Sequence, residues 1–133
     1  MSIARYRPGS VVLDGKLYVA GGYDPKTHKF LASVEVFDDV TQAWYSLPDM
    51  RQPRAGFALT ALNGQLYAAG GWRDRRYIRS VEMYDPLATG WREVAPMQEV
   101  RGKLCAVAIG DELYAVGGVS GFRTTDQLDS IER

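Results

Sequence analysis

Leu66-Tyr67-Ala68-Ala69-Gly70-Gly71 decides the fold, because the same pattern occurs twice more. It reads Leu17-Tyr18-Val19-Ala20-Gly21-Gly22 upstream and Leu113-Tyr114-Ala115-Val116-Gly117-Gly118 downstream. The glycine pairs begin 49 and then 47 residues apart. Self-similarity near fifty residues in a strand-rich chain means a propeller or a solenoid, in which each unit buries its faces against its neighbours. Outward from the pair, every copy falls into register. Arg5, Arg54 and Arg101 each stand sixteen residues before the first glycine. Short apolar runs at 10–13, 57–62 and 104–109 follow, bounded by turn signals, and read as buried strands. Asp14-Gly15, Asn63-Gly64 and Gly110-Asp111 then supply the positive φ angles of a two-residue hairpin.

Beyond the glycines comes a loop that differs in each copy, at 23–32, 72–79 and 119–129. A third strand returns as Ser33-Val34-Glu35-Val36-Phe37, Ser80-Val81-Glu82-Met83-Tyr84 and Ser130-Ile131-Glu132. A fourth starts at Trp44 and Trp91 and stops at Pro48 and Pro96, where proline removes the ladder donor. Four antiparallel strands with neither face consistently polar describe a propeller blade. The fold class is therefore all-β, an incomplete ring of such blades. Blade 1 covers about 6–50, blade 2 about 55–97 and a partial blade 3 about 102–133, so that 1–133 is one repeat region. Tyr18 and Trp44 are expected to fill the space between blades.

Composition narrows the chemistry. Apolar residues make up 46% and charged residues 24% of 133, which suits a globular chain. No run approaches the roughly twenty apolar residues of a membrane span, and no apolar signal region opens the chain. A single cysteine excludes an internal disulfide framework. These features predict a cytoplasmic protein, with the cytoskeleton as a further location. Net charge is zero, which argues against nucleic acid and membrane as partners. His28 and Cys105 are the only residues of their kinds, too few for a metal centre. Cys105 lies in an apolar strand and reads as an inert core thiol. No glycine pair opens a phosphate loop. The expectation is no enzyme, no metal and no cofactor.

Order along the chain resembles the Kelch repeat: apolar strand, Asp/Asn-Gly, Leu-Tyr-x-x-Gly-Gly, Ser-Val-Glu-x-Tyr-Asp-Pro, Trp, Pro-x-Met and Arg. The middle copy carries nearly every element: Asn63-Gly64, Gly70-Gly71, Ser80-Val81-Glu82, Tyr84-Asp85-Pro86, Trp91, Pro96-Met97 and Arg101. The first copy has Phe37 for the tyrosine and Asp38-Asp39 for Asp-Pro, and the third reverses its turn to Gly110-Asp111. What the resemblance implies is a propeller of four to eight blades, commonly six. The style is most similar to Kelch-like proteins, in which a propeller follows BTB and BACK domains and recruits a target to a cullin-3 ubiquitin ligase. Other members of the family bind actin. Neither a BTB nor a BACK segment lies within residues 1–133. Two copies would supply six blades, so a homodimer through the open blade faces is one way to close a ring; a piece of a longer chain is the other.

Propeller geometry sorts the charges. The variable loops and the links between blades emerge on one face and its flanks, with thirteen basic and six acidic residues, net +7. The remainder carries −7. An arginine-rich rim favours an acidic protein partner. The sharpest segment is Trp72-Arg73-Asp74-Arg75-Arg76-Tyr77, which mixes arginines with aromatics as binding hot spots do. Tyr23, His28 and Arg123 are further candidates from the loops. Arg7 and Lys103, with Gly56 between them in the repeat, vary in type at one position and are candidates for partner specificity. By contrast, Arg5, Arg54 and Arg101 recur unchanged. They are expected to be scaffold, pairing with Glu35, Glu82 and Glu132, because a repeated carboxylate in a half-buried strand needs a partner. Gly21, Gly22, Gly117 and Gly118, with Trp44 and Trp91, complete that structural set.

Overall fold

A computed structural model describes all residues 1–133 as three successive antiparallel sheets, the blades of a partial propeller. Blade 1 comprises β1 (Gly9–Leu13), β2 (Lys16–Ala20), β5 (Val34–Asp38) and β6 (Ala43–Leu47), in that spatial order. Between β2 and β5 a small hairpin stands apart, made of β3 (Tyr23–Asp24) and β4 (Lys29–Phe30). Blade 2 repeats the plan with β7 (Ala58–Leu62), β8 (Gln65–Ala69), β11 (Val81–Tyr84) and β12 (Trp91–Val94). Its inserted hairpin is β9 (Trp72–Arg73) with β10 (Arg76–Tyr77). Blade 3 has three strands, β13 (Cys105–Ile109), β14 (Glu112–Val116) and β15 (Ile131–Glu132). The variable loops of the first two copies are thus strand hairpins, which their charged sequences do not announce.

The turns explain the hairpins. Asp14 and Gly15 have φ of 49° and 72°, and Asn63 and Gly64 have 51° and 76°, the two positive angles of a type I′ turn. In the reversed third copy only Gly110 is positive, at 60°. The Gly-Asp order therefore moves the positive angle to the first position, where glycine adopts it without strain, as in a type II′ turn.

The glycine pair serves the joint between blades. Gly21 has φ 59°, and a Cβ there would stand 2.5 Å from the Arg54 carbonyl oxygen. That oxygen belongs to the link into the next blade and accepts a hydrogen bond from the Gly22 amide at 2.8 Å. The Gly71 amide bonds the Arg101 carbonyl in the same way at 2.7 Å. Glycine is needed because a neighbouring backbone occupies the space of a side chain.

The core lies between blades. Tyr18, Val34 and Val36 of blade 1 meet Leu59, Leu66 and Trp91 of blade 2 in the larger cluster. Ala69 and Met97 meet Leu104 and Ala115 in the smaller one. The two end faces have no neighbouring blade, and this overturns two expectations. Cys105 is exposed rather than a core thiol, because its strand face would be covered only by a following blade; Val107 and Ile109 beside it are also exposed. Trp44 is 36% exposed rather than wedged between blades, since it points away from blade 2. Tyr18, on the other face of blade 1, is buried.

Candidate protein-binding face

Backbone bridges place the links and the loops at one end of the blades. Tyr6 pairs with Tyr23, Ala55 with Trp72 and Gly102 with Val119. Each link therefore runs beside the first loop residue of its own blade. The links are also joined to each other. The Gly56 amide donates to the Arg7 carbonyl at 2.9 Å, and the Lys103 amide to the Gly56 carbonyl at 2.7 Å. Arg7, Gly56 and Lys103 thus form one continuous row across three blades. All three are in the left-handed region, with φ of 53°, 57° and 54°. Glycine tolerates that conformation freely, whereas arginine and lysine hold it against a cost of about 1 kcal/mol each.

Beneath this row lies the repeated arginine. In blade 2 Arg54 and Glu82 are wholly buried and bonded at 2.6 Å. Arg54 also donates to the carbonyls of Gly70 (2.9 Å) and Ser80 (3.0 Å) and to Ser80 Oγ (3.0 Å). Glu82 in turn accepts the backbone amides of Arg51 (2.6 Å) and Gln52 (3.2 Å). Arg5–Glu35 at 3.0 Å and Arg101–Glu132 at 3.1 Å repeat the arrangement, down to the serine hydroxyls of Ser33 and Ser130. One guanidinium therefore ties the glycine pair, the third strand and the link of each blade together. Burial lowers the proton affinity of Arg54, and the Glu82 carboxylate opposes the shift. For Glu35 and Glu132 burial pushes the carboxyl upward. The donors around them outweigh it and hold both below the ordinary 4.5: Ser2 and Arg5 for Glu35, the Gln98 and Glu99 amides and Arg101 for Glu132.

These pairs change the charge of the face. Three of its thirteen cations are neutralised by glutamates that the sequence count assigned elsewhere. Ten cations against six carboxylates remain, a net +4 rather than +7. Asp24 is one of the six and is buried, capping its hairpin by accepting the Lys26 amide and the Thr27 hydroxyl, each at 2.8 Å. Those hydrogen bonds, Thr27 first, hold its carboxyl below the usual range.

Aromatic rings run along the face between the cations. Tyr23 meets Phe30 edge-on at 5.3 Å, and Phe30 meets Trp72 at 4.9 Å. Trp72 packs against Gly56, its buried Nε1 has no hydrogen-bond acceptor, and the Arg7 side chain lies over the same glycine. Tyr23 Oη shares a 3.0 Å hydrogen bond with His28 Nδ1. At the second junction Tyr77 packs against Gly102, and Phe122 tilts against it at 5.0 Å. The structure thus brings Arg7, Tyr23, His28 and Trp72 around the first junction and sets Tyr77 at the second, while Arg73 and Arg76 line a concavity within blade 2 beside Tyr77. Arg75 sits alone at the hairpin tip, exposed, with φ 64°. Lys103 is exposed at the end of the link row, and Arg123 is exposed in the third loop. Phe30 and Tyr6 were missed as site residues. The signal for Phe30 is its place directly opposite Tyr23, as Tyr77 stands opposite Trp72.

With fold and face in place, comparisons with known proteins give the family. The model of the Kelch motif matches residues 4–51 and 53–98, most of the chain, and the chain belongs to the Kelch-repeat family. It is a Kelch module, a class of domain that binds proteins. Mouse Influenza virus NS1A-binding protein homolog is 44% identical over 71 residues, covering 53% of this chain and 11% of that protein. Human Kelch-like protein 28 is 36% identical over 83 residues, 58% of this chain and 14% of that protein. The chain therefore spans only a small part of the length of these relatives. Among solved structures, that of YjhT superimposes with a TM-score of 0.77 at 18% identity, over 88% of this chain and 46% of the other, which is a likeness of fold.

Proposed function

We propose that the chain is the target-recognition part of a cytoplasmic ubiquitin-ligase adaptor, holding an acidic segment of a partner protein on its loop face. In this reading it performs no catalysis, and contact with cullin-3 falls to other domains. The observation that carries it is the row of links and loops at one end of the blades. There ten cations remain after the buried pairs are removed, interleaved with half-exposed aromatics. Long-range attraction brings an acidic segment to such a face, and arginine–carboxylate hydrogen bonds with aromatic anchors hold it. The αL conformations of Arg7 and Lys103 support the same reading, because strain kept at two variable positions points to use of their side chains.

The test is capture by the full-length protein, comparing the parent with R73A/R75A/R76A. The expected result is loss of at least one partner from the triple variant, together with co-purification of cullin-3 by both. Undiminished capture of every partner removes the loop-face assignment; absence of cullin-3 removes the ligase assignment.

A further inference from the structure

We propose that Arg73 and Arg76 form a phosphoryl clamp, taking a phosphorylated side chain from the partner segment. The proposal rests on the reading of the loop face as the partner site and names the chemistry of one of its pockets.

Two hairpins at the same place in the repeat differ in their cross-strand charges. In blade 1 the cross-strand pair is Asp24 opposite Lys29, opposite charges. In blade 2 it is Arg73 opposite Arg76, like charges. Directly opposed side chains leave the ribbon on one side with Cβ atoms about 5 Å apart, and like charges so placed repel. The turn adds a second cost. Asp74 and Arg75 both adopt the left-handed region, at φ 46° and 64°, where the two-residue turn favours Asn-Gly or Asp-Gly. Arg73, Arg75 and Arg76 form no ion pair with any carboxylate, and their side chains take no part in the hydrogen bonds of the chain, whereas the neighbouring Arg79 reaches the Gln98 carbonyl. A hairpin that sets two unpaired arginines directly opposite each other across a strained turn offers a site for an anion.

The shape and the charge then select the anion. Arg73 and Arg76 line a concavity of about 460 Å³ with Asp74, Tyr77 and Ile78. A carboxylate carries one charge and two acceptor oxygens, enough for one arginine fork. A phosphoryl monoester carries a charge of about −1.5 to −2 and three acceptor oxygens, which suits two forks. Asp74 lowers the net charge of the pocket, so a singly charged ligand gains little there while a doubly charged one keeps an advantage.

The experiment uses the full chain and three peptides identical except at one central residue, which is phosphoserine, aspartate or serine, flanked on each side by two glutamates. Affinity is read by fluorescence anisotropy, and the Nε–Hε signals of Arg73 and Arg76 by NMR. The phosphoserine peptide is expected to bind about tenfold or more tighter than the aspartate peptide, moving both arginine signals. In R73Q/R76Q that gap should collapse, and in R73K/R76K, which keeps the charge but not the fork, most of it should go. D74N should tighten the phosphoserine peptide, and R92Q, at an exposed arginine of β12 outside the loop face, should leave the gap intact. Equal binding of the phosphoserine and aspartate peptides overturns the clamp while leaving the acidic-partner reading standing. Survival of the gap in R73Q/R76Q with an unchanged backbone spectrum also overturns it. No binding by any of the three peptides overturns both readings.

Discussion

Trp91 and Trp44 hold the same position in successive blades, yet they live in different environments. Trp91 stands opposite Tyr84 with ring centroids 5.4 Å apart, and Trp44 opposite Phe37 at 5.2 Å. Trp91 is 6% exposed and donates its indole N–H to the Pro48 carbonyl of blade 1 at 3.0 Å. Trp44 is 36% exposed and donates to nothing within the chain. The same contrast separates the middle Arg54–Glu82 pair, wholly buried, from the outer pairs, whose glutamates keep 6% and 12% of their side-chain surface. A residue in this architecture is buried by its own blade and an adjacent one together. The repeat writes one list of side chains, and the neighbours decide which of them become core.

The largest effect that follows from this contrast is at the middle pair. E82A would leave the Arg54 guanidinium buried without its counter-charge, and the Arg51 and Gln52 amides without an acceptor. Breaking a buried pair from one side costs about 3–5 kcal/mol, a large share of what holds a domain of this size together. E35A makes the same change at an end blade and should cost less, because Glu35 keeps 6% of its side-chain surface where Glu82 keeps none, so water lies closer to the vacated site. Urea unfolding of the two variants measures the difference. Equal losses would mean that the neighbouring blade contributes nothing to the pair, and the comparison between middle and end would fail.

Next in size is the tryptophan itself. W91A removes a ring from the joint between blades and should cost about 3–5 kcal/mol. W44A removes a ring already in contact with water and should cost about 1 kcal/mol, the range of a surface change with partial packing. A W44A variant as damaging as W91A would show that Trp44 is covered in solution, either by a second copy or by another blade. Analytical ultracentrifugation of the parent chain would distinguish the two, since only the former raises the mass with concentration.

How much of this could be read beforehand depends on whether a residue's role is set by its own copy. Arg54 and Glu82 were matched from spacing alone, because a buried carboxylate and a recurring cation have few other solutions. The glycine pair marked the repeat in the sequence; that it makes room for a carbonyl from the next link is visible only in the structure. Cys105 and Trp44 were misplaced for one reason: an apolar strand announces burial without saying which blade provides it. The loop face was legible as a composition of arginine and aromatics. Its inner order was not. That Arg73 faces Arg76 depends on a two-residue turn closed by Asp74-Arg75, a sequence that does not advertise positive φ. Phe30 escaped notice because its partner Trp72 is 42 positions away and in another blade.

The smallest effect, and the one that resolves the end pairs individually, is on acid stability. Glu35 and Glu132 have folded proton affinities below the ordinary carboxyl value of 4.5, because the donors around them outweigh burial. A carboxyl depressed in the folded state contributes stability that is fully present above the unfolded value and is lost as pH falls through the folded one. The parent chain should therefore keep its urea midpoint down to about pH 5 and lose it progressively below that. In E132Q the amide cannot ionise and the side chain presents one acceptor oxygen, where the carboxylate uses both for the Gln98 and Glu99 amides and Arg101. The variant should be less stable near neutrality and show a shallower acid slope, so that the two curves approach each other below about pH 4. E35Q should behave likewise, with Ser2 and Arg5 as the affected donors. An acid slope unchanged in both variants would assign the loss to other carboxylates and remove the end pairs as its source. A slope reduced by E132Q alone would show that the Ser2 contacts do not persist in solution, and that a link preceded by a full blade is what holds a glutamate in place.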